Sequence, residues 1–178
     1  MNDGSIKIDA QDHVLEIQPV SRDELNAVLD VYRQCEDFLA LGPMAEASME
    51  MVMKDIEISK KQGGIFCGIY TADGEMIGVI DYVPKNHQGN PQAAFLSLLM
   101  IAAPFRNQGI GKTVVEAVES EIRNDASINT IFSGVQINNP QAIRFWRRAG
   151  YSIISEPILH SDQTVAVDLR KDFPPDRG

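Results

Sequence analysis

From Arg106 to Thr113 the chain reads Arg-Asn-Gln-Gly-Ile-Gly-Lys-Thr, residue types and a spacing suited to holding a phosphate. The segment joins an apolar run, Phe95 to Ile101, to residues whose apolar positions recur with helical spacing. A glycine-rich turn between strand and helix lets the backbone come close to a ligand. The first amides of the helix lack internal partners, so they face an anion with the helix dipole behind them. Lys112 and Arg106 add positive charge beside the turn.

Spacing separates three phosphate loops. A Walker A loop needs a glycine at position 106, where this chain has Arg106, and a dinucleotide fingerprint needs a third glycine at 114, where it has Val114. What remains is Arg/Gln-x-x-Gly-x-Gly/Ala. A second marked segment lies downstream, from Asn139 through Ala142, Phe145 and Trp146 to Gly150 and Tyr151. It reads as one short helix with Asn139 as N-cap, Pro140 at the first helical position and Gly150 just past the end.

In this order, separated by one helix and one strand, the two segments resemble the paired motifs of the GNAT superfamily of acyl-CoA-dependent N-acyltransferases, over residues 65–171. The second motif departs at one position: Trp146 stands where the family usually has tyrosine. The resemblance implies acetyl-CoA as acyl donor and an amine of a small molecule or peptide as acceptor. It carries Arg106, Asn107, Gln108, Gly109, Ile110, Gly111, Lys112 and Thr113 onto the pyrophosphate, and Asn139, Phe145 and Trp146 onto the neighbourhood of the cofactor. Ile101 matches the strand position whose amide meets the thioester carbonyl. Lys112 also reads as a solvated helix residue, and Arg144, Arg147 and Arg148 as a solvated face.

Acyl transfer to an amine needs a base, and the family often places a carboxylate on the central strand, where Phe95 to Ile101 offers only Ser97. Asp81 on the preceding strand, and Glu36 or Asp37 after the first helix, are the substitutes by position. Trp146 cannot act as an acid, because an indole donates a hydrogen bond without releasing its proton in water. A thiol of pKa near ~8.5 leaves without one. A catalytically weak acyl-CoA-binding regulatory module is the competing reading.

The elements that must position these residues follow from periodicity. Strands are expected at Val14–Pro19, Ile65–Tyr70, Glu75–Val83, Phe95–Ile101 (buried on both faces), Thr130–Ile137, Tyr151–Ser155 and Thr164–Leu169. Helices are expected after the capping box Ser21-x-x-Glu24, from Met49 to Gly63-Gly64 with Met49, Val52, Met53 and Ile56 on one face, at Gln108–Arg123, and after Asn139. Residues 84–92 and 156–163 read as loops. The resemblance implies an α/β (α+β) fold in which a mixed, twisted sheet carries helices on both faces. It also implies a V-shaped gap where the Phe95 and Thr130 strands part. At 178 residues, 44% hydrophobic, the chain has the material for one buried core, so residues 1–178 are expected to form a single domain with 1–13 and 173–178 as mobile ends.

A net charge of −9 speaks against nucleic-acid binding and suits a cationic acceptor. No run of eighteen apolar residues and no basic-then-apolar start occurs, so the expectation is a cytoplasmic protein with no membrane partner. Cys35 and Cys67 have no metal-ligand spacing with the three histidines, so no metal is expected. Dimers are frequent among the resembling proteins, which makes a homodimer an expectation too.

Overall fold

Alternating and continuous apolar runs in this chain become strands, and the capped 3.6-residue patterns become helices. The computed structural model describes residues 4–10 and 12–174. The strands are β1 (Ile6–Ala10), β2 (His13–Pro19), β3 (Ile65–Thr71), β4 (Met76–Val83), β5 (Ala93–Ile101), β6 (Thr130–Gln136), β7 (Ser152–Ile153), β8 (Ile158–Leu159) and β9 (Val165–Asp172). The helices are α1 (Leu25–Arg33), α2 (Glu36–Leu39), α3 (Met49–Lys61), α4 (Ile110–Ile122) and α5 (Pro140–Arg148). All these strands join one mixed sheet in the order β1-β2-β3-β4-β5-β6-β9-β7, with β8 also on β9. Among the described residues only the β5–β6 ladder is parallel.

The helices divide between the faces. Val114, Val115, Val118 and Ile122 of α4, with Trp146 of α5, pack on Ile17, Ile69, Ile80, Leu96, Ile131 and Leu169. On the other face, Val28, Val31 and Tyr32 of α1 and Val52 of α3 pack on Phe66, Val79 and Met100. The mixed sheet with helices on both faces is therefore the observed architecture.

Several local expectations change. Residues 6–10, placed in a mobile end, pair with β2 as an edge strand, Ile6 opposite Ile17 and Ile8 opposite Leu15. At the other end Phe173 donates its N–H to Asn129 O (2.8 Å) and lies under the Arg123 guanidinium, 4.6 Å from ring centroid to Cζ. Residues 175–178 lie outside the described residues. Met53 is 56% exposed and leaves the α3 stripe, its place taken by Met51 beside Met49, Val52 and Ile56. Residues 156–163, read as a loop, contain β8, too short for its periodicity to show. At the start of α3 Ser48 is the N-cap, its Oγ accepting the Met51 N–H (3.1 Å). Gly74, at φ +86°, turns the β3–β4 hairpin.

The central strand differs most from a strand buried on both faces. β5 pairs with β4 from Phe95 to Ile101, but with β6 only from Ala93↔Thr130 to Leu96↔Ser133. Ser133 Oγ donates to Leu96 O at 2.8 Å where that ladder stops. At the same place β5 carries a bulge: Asp81 faces Leu98 and Tyr82 faces Leu96, so Ser97 is the extra residue. A bulge bends its strand and re-aims a side chain. From Ser97 to Ile101 one edge of β5 is open, and Ser97 itself is exposed.

Candidate active site

The loop at 106–113 stands before that open edge. Asn107 at φ +59° and Gly109 at φ +79° wind the turn into α4, with Gly109 as N-cap. The first carbonyl accepted within the helix is Gly109 O, taken by the Thr113 N–H (3.1 Å), so the amides before it point out of the helix end. A Cβ built on Gly111 would meet Phe145 at 3.3 Å and Leu99 at 3.9 Å. Helix start, α5 and β5 therefore converge at one point, where helix amides without internal partners, suited to an anion, lie beside apolar side chains at the split. Ile110 is buried in the core. The Thr113 hydroxyl donates to Gly109 O (3.0 Å), and the Lys112 ammonium pairs with Glu116 (3.1 Å) on the exposed side. Gln108 donates to Pro104 O (3.1 Å) and accepts on its own carbonyl from the His13 ring (3.0 Å).

Arg106 does not point its charge at this cradle. Its Nε donates to Ile101 O (2.8 Å), its two terminal nitrogens hold the Asp37 carboxylate (2.6 and 3.1 Å), and one reaches Gln34 O (3.4 Å). The buried Cys35 thiol donates to the same Ile101 carbonyl (3.4 Å), and burial raises its pKa. The end of β5 is thus clamped by the elbow between α1 and α2. Ala102 N–H goes to Ile77 O (2.8 Å), so the alternation of an antiparallel ladder turns the Ile101 N–H toward the open edge.

Of the three carboxylates expected as candidate bases, one contacts the open part of β5. Glu36 accepts the Ala47 N–H (3.0 Å) and pins its own segment. Asp37 is held by Arg106, whose hydrogen bonds draw its pKa below the ordinary value. Asp81, 7% exposed, takes Ser59 Oγ–H on one oxygen and Ser97 Oγ–H on the other, each at 2.5 Å. Burial raises its pKa against the lowering effect of both hydroxyls. Behind it Tyr32 donates to Asp55 (2.7 Å), another carboxyl whose pKa burial raises. Ser59 was legible only as a hydroxyl in the α3 apolar stripe, three residues after Ile56.

Asn139 caps α5, accepting the Ala142 N–H (3.0 Å). Trp146 is a core residue, 7% exposed and edge-on to Phe145 and Tyr151 at 5.3 and 5.0 Å. Its indole is packed away rather than presented to a ligand. A hollow of about 470 Å³ opens at the carboxyl end of β6, between Leu41–Pro43 and Asp162–Val165. Among the described residues no helix is long and apolar enough to cross a membrane, and no three metal-binding side chains gather.

Residues 25–151 match the model of the Acetyltransferase (GNAT) family. N-alpha-acetyltransferase 50 of Danio rerio is 32% identical over 69 residues, 39% of this chain and 41% of that protein. The chain thus spans well under half the length of the curated relatives it matches. An acetyltransferase of Thermus thermophilus superposes with a TM-score of 0.73 at 18% identity, covering 89% of this chain and 97% of the other. The spermidine N-acetyltransferase of Vibrio cholerae, in complex with CoA and spermine, gives 0.68 at 11% identity over 89% and 95%.

Proposed function

The chain belongs to the GNAT acetyltransferase family, and from that membership we propose that it is an N-acetyltransferase moving an acetyl group from acetyl-CoA to a primary amine. The observation that carries this reading is the parting of β5 from β6 after Leu96, with the free α4 amides on one side and the Ser97–Asp81 pair at its edge.

Acetyl-CoA supplies an acetyl group activated as a thioester, which takes the amine nitrogen and releases the thiol. The amides around Gly109 and Gly111 hold the pyrophosphate, with Leu99 and Phe145 flanking the path to the split. The Ile101 N–H, fixed by the clamp on its own carbonyl, donates to the oxygen on which negative charge develops. Asp81 is the base, reached through Ser97. The exposed hydroxyl accepts a proton from the incoming amine and passes its own to the carboxylate. With Trp146 in the core, water protonates the departing thiolate.

The test is thiol release from acetyl-CoA with a panel of primary amines, small and peptidic, alongside calorimetry of coenzyme A binding. Amine-dependent release with a defined KM is expected. Micromolar coenzyme A binding with no amine acetylated would instead make the chain an acyl-CoA-binding regulatory module.

A further inference from the structure

On the face of the sheet that carries α1 and α3, register sets side chains in rows beyond the reach of those helices. One row runs Val83, Phe95, Phe132, Arg170. His87 stacks flat on Phe95, centroids 4.4 Å apart at 6°, with Phe132 5.6 Å from the same imidazole. In the next row Ser97 follows Leu96 and Gly134 follows Ser133, the last partners before the split, and Gly134 in turn pairs with Asp168. On this face Asp81 and Ser97 therefore stand on one lip of the split and the pair Gly134 and Asp168 on the other, with the last three exposed.

Gly134 has no reason within the fold. A Cβ there would find only Val167 O, at an ordinary 3.8 Å, and its φ is not positive. At Gly64, Gly68 and Gly78 the corresponding atom would stand 2.6, 2.7 and 2.6 Å from a neighbour, so packing demands those glycines. A glycine inside a strand weakens it, and one that packing does not require leaves the backbone open to close approach by a ligand or another chain. Asp168 is the cross-strand partner of Gly134. Its backbone is held on both sides, carbonyl by Ile154 N–H and N–H by Ser155 Oγ, each at 2.9 Å. The neighbouring Arg170 gives its Nε to Asp172 (2.8 Å), so among the described residues Asp168 has no ion-pair partner.

We infer that Gly134 and Asp168 form an acceptor subsite selecting amines that carry a second positive group, a diamine or polyamine. The reacting nitrogen lies at Ser97 and the distal ammonium at Asp168. Gly134 and Asp168 are one strand spacing of about 4.8 Å apart, and with the unpaired step across the split to Ser97 the whole span is at least about 10 Å. The Asp168 carboxylate favours a cation there, the Phe132 ring itself lying under the Arg170 guanidinium at 5.9 Å, and the absent side chain of Gly134 lets the connecting methylenes lie on the sheet. The inference rests on the acetyltransferase reading and names its acceptor.

Thiol-release kinetics with straight-chain diamines from butane to octane, each against the monoamine of equal length, test it. The wild type should favour its best diamine by about tenfold or more in kcat/KM, and Asp168→Asn should collapse that preference toward parity. Gly134→Val should raise the diamine KM by about tenfold while coenzyme A affinity is unchanged and the melting temperature holds or rises, since valine suits a strand better than glycine. Amines acetylated without diamine preference, a preference that survives Asp168→Asn, a Gly134→Val variant that melts early, or peptide N-termini favoured over diamines would each overturn the subsite and leave the acetyltransferase reading standing. If coenzyme A binds and no amine reacts, the reading itself fails, and the subsite with it.

Discussion

Asp81 is buried at a cost that the fold alone does not require. Its strand neighbours Ile80 and Tyr82 are core residues, and two hydroxyls converge on its carboxyl from different elements, Ser59 on α3 and Ser97 on the β5 bulge. Burial dominates, and the pKa is raised. A carboxyl that binds its proton more tightly folded than unfolded contributes its full stability below the ordinary carboxylate value and loses it as pH rises through the raised value. Asp81→Asn removes that loss. The variant should therefore melt no earlier than wild type at neutral pH, and its stability should lose the pH dependence that Asp81 imposes. Activity should move oppositely: kcat/KM falls roughly 100-fold, and the rise of rate on leaving acid pH, which in wild type tracks the raised value, disappears. Ser97→Ala, at an exposed position, should reproduce the kinetic loss with little change in melting. Scanning calorimetry and a pH–rate profile with any accepted amine check both. A Ser97→Ala enzyme of undiminished kcat/KM would show that the proton leaves by another route.

Helix α4 shows what elements contribute beyond their residues. Two glycines open α4 for different reasons. Gly109 sits at φ +79° with nothing within 4 Å of a would-be Cβ, so its need is conformational. Gly111 has ordinary φ but lies 3.3 Å from Phe145 by the same construction, so its need is space. Gly109→Ala should cost about 1 kcal/mol of stability through the left-handed backbone. Gly111→Val should leave the fold intact, push Phe145 aside and weaken coenzyme A binding by tenfold or more, as titration calorimetry would read. Unchanged affinity in the valine variant would remove the cofactor loop from this segment. Both glycines and the capped α5 were legible in the sequence because helix signals are written within a few neighbouring residues. The Asp81–Ser97 contact was not, because it depends on a one-residue bulge that shifts the β4–β5 register and no local pattern announces it. The placement of Ser97 across the split from Gly134 and Asp168 likewise exists only once three strands distant in sequence are aligned. β7 and β8, two residues each, are shorter than any period that could reveal them.

At the scale of the whole molecule, a sheet that opens along one seam needs something to fix the width of the opening. The segment from Cys35 to Leu41 supplies it, reaching both lips. On the β5 side the Cys35 thiol donates to Ile101 O, and Asp37 takes the fork of Arg106, which itself holds Ile101 O. On the β6 side the Asn138 side-chain amide donates to Leu41 O at 3.0 Å. Arg106 therefore ties the Ile101 peptide to the α1–α2 elbow; holding that geometry and neutralising a phosphate make opposite predictions. A phosphate ligand, once removed, weakens coenzyme A binding in a salt-dependent way. A clamp, once removed, leaves that affinity within about threefold and lowers kcat while raising the acceptor KM, because the amide donor and the acceptor wall lose register. Arg106→Gln should show the second pattern, and Arg106→Lys should rescue little, since a single ammonium cannot replace the bidentate fork. The lowered Asp37 pKa sets the pH window: the ion pair contributes above the ordinary carboxylate range and is lost as pH falls through the lowered value. Exchanging the partners, Asp37→Arg with Arg106→Asp, should recover part of the kcat lost in either single variant. A tenfold loss of coenzyme A affinity in Arg106→Gln, with acceptor KM unmoved, would return this arginine to the phosphate.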